Sequence, residues 1–294
     1  MNLHSLFILF SLLPLLVHGQ EHIPLADPYI LTDDTDGMYY AYGTHATDGI
    51  EVYTSTDLNH WSRVGLALSS TNTTESRWFW APEVYKRGDT YYMFYSANEH
   101  LYLATSTSPI GPFIQSGGRL MHDLIGDEKC IDSSVFFDDD GHAYMYFVRF
   151  NAGNNIWMCQ LDSTLSPLAT TLHPCLEATE PWELRAARVA EGPFVIKYQG
   201  LYYLTYSAND YQSHDYAVGY ATSESPYGPW QKSTTNPILH RYNGLYGTGH
   251  HSFFTTSSGQ LHIVYHAHNS ATAVHPRLMY IGEAGFEGSR LVIK

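Results

Sequence analysis

Basic residues are scarce in this chain: 15 Lys and Arg stand against 29 Asp and Glu, a formal net charge of −14. So acidic a surface repels phosphate backbones and anionic bilayers, so neither nucleic acid nor a membrane surface is expected as a partner. A neutral ligand fits better. Cysteine is scarce too, 3 in 294 residues, which excludes a disulfide scaffold. Cys159 and Cys175 are candidates for one bridge in an oxidising compartment with Cys130 left as a thiol, although spacing alone leaves the pairing open. Long apolar runs are lacking beyond the N-terminus, where residues 1–19 hold an apolar segment from Leu6 to Val17 and no Asp, Glu, Lys or Arg. That segment is short for a bilayer span and contains Pro14, so it reads as a secretory signal peptide cleaved after Gly19. The expected product is a secreted, monomeric, single domain of residues 20–294. Sustained 3.6-residue periodicity is also rare; only residues 177–188 suggest a helical turn or two. The sequon Asn72-Thr-Thr74 lies in a polar loop that could accommodate a glycan.

What the chain has in abundance is tyrosine, 24 residues in an aromatic content of 15%, which favours strands over helices. Hairpin turns recur at Asp36-Gly37, Arg87-Gly88, Asp140-Gly141, Gln199-Gly200 and Ser258-Gly259, with glycines 51, 53, 59 and 59 residues apart. An aromatic or aliphatic strand follows each turn, as in Thr90-Tyr-Tyr-Met-Phe-Tyr95 and Leu201-Tyr-Tyr-Leu-Thr-Tyr206, and a third strand comes after it. Five units of about fifty residues, each with three or four short strands, predict an all-β, five-bladed β-propeller. A two-sheet sandwich is the rival, and the regular repeat disfavours it.

In a propeller the innermost strands border a central channel. Aligned with one another, these first strands give a column of Asp27, Ala81, Asp132, Glu191 and His251. Any one acid in such a place could simply cap a turn. Three in register would meet at one channel mouth, where clustered carboxylates repel and one keeps its proton while another stays ionised. Glycoside hydrolysis needs that division between acid and base.

The segments Ala26-Asp27-Pro28-Tyr29-Ile30, Trp80-Ala-Pro-Glu-Val84, Ile131-Asp132-Ser133 and Glu191-Gly-Pro-Phe194 resemble those of glycoside hydrolase family 43, in order and across the whole mature chain. The resemblance implies an inverting, five-bladed hydrolase of neutral arabinose- or xylose-containing plant cell-wall polysaccharides or oligosaccharides. It also implies Asp27 as general base, Glu191 as general acid and Asp132 as the group that orients the acid and raises its pKa. Trp78 and Trp80 are candidates to stack on sugar faces, with a core role the alternative for Trp78. Arg277 resembles a family arginine near the sugar pocket, with a surface ion pair as the alternative. In Gly247-Thr-Gly-His-His251 the motif favours His250 as the residue facing the channel, whereas the strand alignment favours His251. No cofactor is required; the family implies a structural calcium in the channel, ligated mostly by water and touched by His250 or His251. Glu83 reads as a deeper, non-catalytic polar group, and Asp138-Asp-Asp-Gly141 as a solvated turn.

The specific expectation is an exo-acting α-L-arabinofuranosidase, because the insertion at 159–188 could wall the cleft into a pocket. β-Xylosidase and endo-1,5-α-L-arabinanase are the alternatives within the family. A retaining fructan hydrolase would share the fold, but its Arg-Asp-Pro motif is missing. A catalytically silent carbohydrate-binding propeller is the rival from another class.

Overall fold

The computed structural model describes residues 22–294; the expected signal peptide lies outside them. Five four-stranded antiparallel sheets form, each from consecutive strands, spanning 26–69, 80–115, 130–176, 190–232 and 249–293. These are the five blades of the expected propeller. The five hairpin glycines all adopt positive φ, between 59° and 85°, the conformation the tight turns require.

Buried side chains fall into five clusters, one at each interface between successive blades. The first packs Tyr42 against Tyr95 and Phe113; the cluster that closes the ring packs Leu25 and Ile30 against Phe254 and Met279. Alternation along each strand explains this, since a blade packed on both faces sends successive side chains to opposite neighbours. Closure is also hydrogen-bonded: Met279 N–H donates to Ile23 O at 3.0 Å and Thr32 Oγ1 to Thr255 O at 2.9 Å.

Three local expectations need correction. All three cysteines are free thiols. Cys159 packs between the second and third blades while Cys175 packs between the third and fourth, so the sheet separates them. Asp138 is buried rather than solvated: Lys197 Nζ lies 2.7 Å from its Oδ1 and the Tyr202 hydroxyl donates to Oδ2. Asp33, Lys86 and Tyr91 repeat that anchor between the first two blades. The insertion at 159–188 completes the strand Asn154–Leu161 and forms an outer strand, His173–Leu176, and two 3-10 turns, Ala169–Thr171 and Pro181–Leu184, and none of it lines the central cavity.

Candidate active site

Every inner strand carries a β-bulge at the same place. The ladder slips between Ala26 and Tyr29, Trp80 and Glu83, Ile131 and Ser134, Glu191 and Phe194, and Gly249 and Ser252. The bulged residues Asp27, Ala81, Asp132, Gly192 and His250 have φ of 49°, 43°, 57°, 53° and 43°. Left-handed backbone is uncommon for residues other than glycine, and such strain gathers at functional sites. This corrects the column read from the strand alignment. Gly192, not Glu191, occupies the shared position, and His250, not His251, does so in the fifth blade. The signal was available: Pro28, Pro82 and Pro193 each follow a bulged residue. Gly192 is the one glycine of the column, and a Cβ there would sit 3.2 Å from the His250 ring.

The five mouths surround a cavity of about 510 Å³ lined by Asp27, Asp132, Glu191, Trp80, His250 and Arg277 among others, with contributions from all five blades. Asp27 is its anionic centre. Arg277 donates through Nη1 to Oδ1 at 2.7 Å and through Nη2 to Oδ2 at 3.4 Å, and His250 Nδ1 lies 3.3 Å from Oδ1. Burial alone would raise its pKa, but Arg277, His250 and His266 outweigh burial and hold Asp27 well below the usual carboxylate range. Arg277 is therefore neither a surface group nor free for sugar hydroxyls on both arms. It is largely enclosed, its side chain 11% exposed, forks onto Asp27 and lies 4.6 Å over the Tyr211 ring.

Glu191 has the opposite environment. Burial pushes it up to about 7, against the opposing donors Tyr216 OH, 2.9 Å from Oε1, and Asn154 Nδ2, 3.0 Å from Oε2. Asp132 is raised as well, by burial and then by the charges of Glu191 and Asp27. Two neighbouring buried carboxyls with both pKa values raised keep a proton between them near neutral pH. Tyr216, Asn154 and His266 escaped the sequence reading because distant strands bring them in. Only His266 left a trace, in the small polar or acceptor residues that end most second strands.

Trp80 lines the cavity, whereas Trp78 does not. Trp78 is 42% exposed, which excludes a core role, and stacks on Trp80 with centroids 5.8 Å apart and planes at 16°. Below the site the axial channel is lined by Glu83, Ser133, His250 and His251. Glu83 is buried and pushed up to about 8, with the Tyr85 hydroxyl on its Oε2. His251 turns Nε2 to Thr205 Oγ1 at 2.7 Å, leaving Nδ1, like Ser133 Oγ, buried without a hydrogen-bond partner. Among the described residues no group of three or more His, Cys, Asp or Glu could hold a metal ion. These donors fit an ion ligated mostly by water, not one caged by the protein.

A carboxylate held ionised, a carboxyl that keeps its proton near neutrality and a third acid beside it, all opening on one cavity, define a glycosidase. The model of glycosyl hydrolases family 43 matches residues 23–283, and the chain belongs to that family, whose members are inverting glycoside hydrolases. A β-D-galactofuranosidase of Aspergillus niger is 27% identical over 85% of this chain and 78% of its own length. A probable arabinan endo-1,5-α-L-arabinosidase B of Aspergillus fumigatus is 29% identical over 71% and 66%. Among solved structures, one described as an endo-1,4-β-xylanase of Bacteroides thetaiotaomicron is 43% identical, with a TM-score of 0.88 over 93% of this chain and 95% of that one. A thermostable family-43 glycoside hydrolase is 35% identical, with a TM-score of 0.86 over 95% of each chain.

Proposed function

We propose that the protein removes terminal α-L-arabinofuranosyl units from neutral plant cell-wall glycans by single displacement. Asp27 draws a proton from water on one face of the sugar, Glu191 protonates the departing oxygen on the other, and the anomeric carbon inverts. Asp132 supports the proton on Glu191. The observation that carries this reading is the opposite electrostatic treatment of Asp27 and Glu191 in one cavity. Trp80 offers a ring to a sugar face at the cavity wall.

Exo-action finds support in a cavity walled by all five blades, which suits a chain end better than a chain passing through. The galactofuranosidase name of one relative favours a furanose ring, and the arabinosidase name of another favours arabinose. A xylose-based substrate is the second reading, favoured by the 43% identical structure described as a xylanase. Incubation with arabinan and xylan, with products resolved by chain length and the first-formed anomer followed by proton NMR, tests the proposal. Free arabinose of inverted configuration supports it. Xylose as the main product moves the assignment to the second reading, a ladder of oligosaccharides refutes exo-action, and binding without release of sugar refutes catalysis.

The same reading includes secretion as a monomer after cleavage near Gly19, tested by N-terminal sequencing and light scattering of secreted protein. It also includes a mostly water-ligated calcium in the channel. Loss of thermal stability on chelation, restored by calcium, would support that ion, and unchanged stability would remove it.

A further inference from the structure

A β-bulge frees one backbone N–H from the ladder, and a buried N–H needs an acceptor. At four of the five junctions the preceding blade supplies it from one place, near the end of its second strand. Ala81 N–H donates to Thr44 Oγ1 at 3.0 Å, Asp132 N–H to Ser96 Oγ at 3.0 Å, His250 N–H to Ser207 Oγ at 2.8 Å and Asp27 N–H to His266 Nδ1 at 3.2 Å. Each acceptor sits opposite the residue that precedes the bulge in its own blade: Thr44 opposite Ala26, Ser96 opposite Trp80, Ser207 opposite Glu191 and His266 opposite Gly249.

The third blade breaks the pattern. Val148 holds the corresponding place, opposite Ile131. It is fully buried and shares its strand face with Tyr144 and Tyr146, which pack toward the fourth blade. A valine cannot accept a hydrogen bond. Gly192 N–H, next in the chain to Glu191, donates instead to Asp132 Oδ2 at 3.3 Å. Among the described residues this is the one hydrogen bond to the Asp132 carboxylate.

We propose that Val148 is a positioning residue: by withholding an acceptor it delivers the Gly192 N–H to Asp132, which fixes that carboxylate beside Glu191 and supports its ionised form. The charge on Asp132 then favours the proton on Glu191. The other titratable or charged groups facing the pair are Asp27, Tyr29, Glu83, Tyr216, His250, His251, His266 and Arg277, with His45, Glu99, Asp210, Tyr211 and His275 further out on the cavity wall. None of them donates a hydrogen bond to Asp132. Burial and the neighbouring carboxylates push Asp132 up, and the Gly192 N–H opposes that rise.

The inference rests on the reading of Glu191 as general acid. The test is the pH dependence of kcat/KM for wild type, Val148→Thr, Val148→Ala and Glu191→Gln. Threonine matches valine in shape and restores the acceptor found at the other junctions. Loss of the alkaline limb in Glu191→Gln on activated aryl glycosides establishes the acid assignment; its persistence defeats that assignment and not the hydrogen-bond switch specifically. With the assignment established, Val148→Thr should move the alkaline limb to lower pH by roughly one unit, the size of effect expected when a hydrogen bond to a charged group is redirected. Val148→Ala, which lowers stability without adding an acceptor, should leave the limb in place. A limb unmoved by Val148→Thr, moved upward by it, or moved equally by both variants overturns the proposal.

Discussion

Replacing Arg277 with methionine should move the acid limb of the pH–rate profile toward neutrality. The guanidinium reaches both Asp27 oxygens, at 2.7 and 3.4 Å, from a side chain only 11% exposed onto one only 7% exposed. Burial raises the Asp27 pKa, and Arg277 is the largest influence opposing it, ahead of His250 and His266. An opposite charge at this range lowers a carboxylate by roughly 1–3 units, or about 1.4–4 kcal/mol. Without it, Asp27 should titrate about 1–3 units higher. The sign for stability follows from the depressed folded pKa. Ionised Asp27 stabilises the fold above its unfolded pKa of about 3.9, and this contribution fades as pH falls through the folded value. The methionine variant should lose it even at neutral pH, and Arg277→Lys should recover part. The assay is kcat/KM against pH on an activated aryl glycoside, whose leaving group needs little help from Glu191, so the acid limb reports Asp27. An unmoved acid limb with only a raised KM would refute the argument and assign Arg277 to sugar hydroxyls.

Glu191→Gln should lower kcat on natural oligosaccharides by roughly 10²–10⁴ while largely sparing activated aryl glycosides, and equal losses on both would remove the acid role. Tyr216→Phe deletes the hydroxyl 2.9 Å from Glu191 Oε1, a donor that favours the ionised form, so the alkaline limb should rise by less than about one unit. Buried Glu83, raised to about 8, keeps its proton in the fold, so stability is lost as pH climbs from its unfolded value toward 8. Glu83→Gln should flatten that decline, by roughly 2–4 kcal/mol between pH 4.5 and 7, in denaturant titrations at the two pH values. Because all three cysteines are thiols, a reducing agent should leave the melting temperature unchanged; a clear drop would point to a disulfide.

The blade count and the hairpins were legible because they follow from local chemistry. A glycine at a tight turn and alternating aromatics after it carry the same meaning wherever the strand lies, and their spacing counted the blades. The acids Asp27, Asp132 and Glu191 were legible as a group because a propeller brings every inner strand to one axis. Their register was not. A bulge at the same place in every inner strand sets that register, but the number of residues between bulge and turn differs from blade to blade, so aligning the strands by sequence misplaces Glu191 and His251 by one position. Residues that act through others were out of reach as well: Arg277 could be marked as a pocket group, but its fork onto Asp27 joins residues 250 positions apart. What the sequence by itself determined was the architecture and the set of acids, since both depend on periodicity and residue type. Which acid stays charged and which keeps its proton was decided only in the tertiary structure. Desolvation and the placement of Arg277, Tyr216, Asn154 and the Gly192 N–H belong to the closed ring of blades and to no single strand.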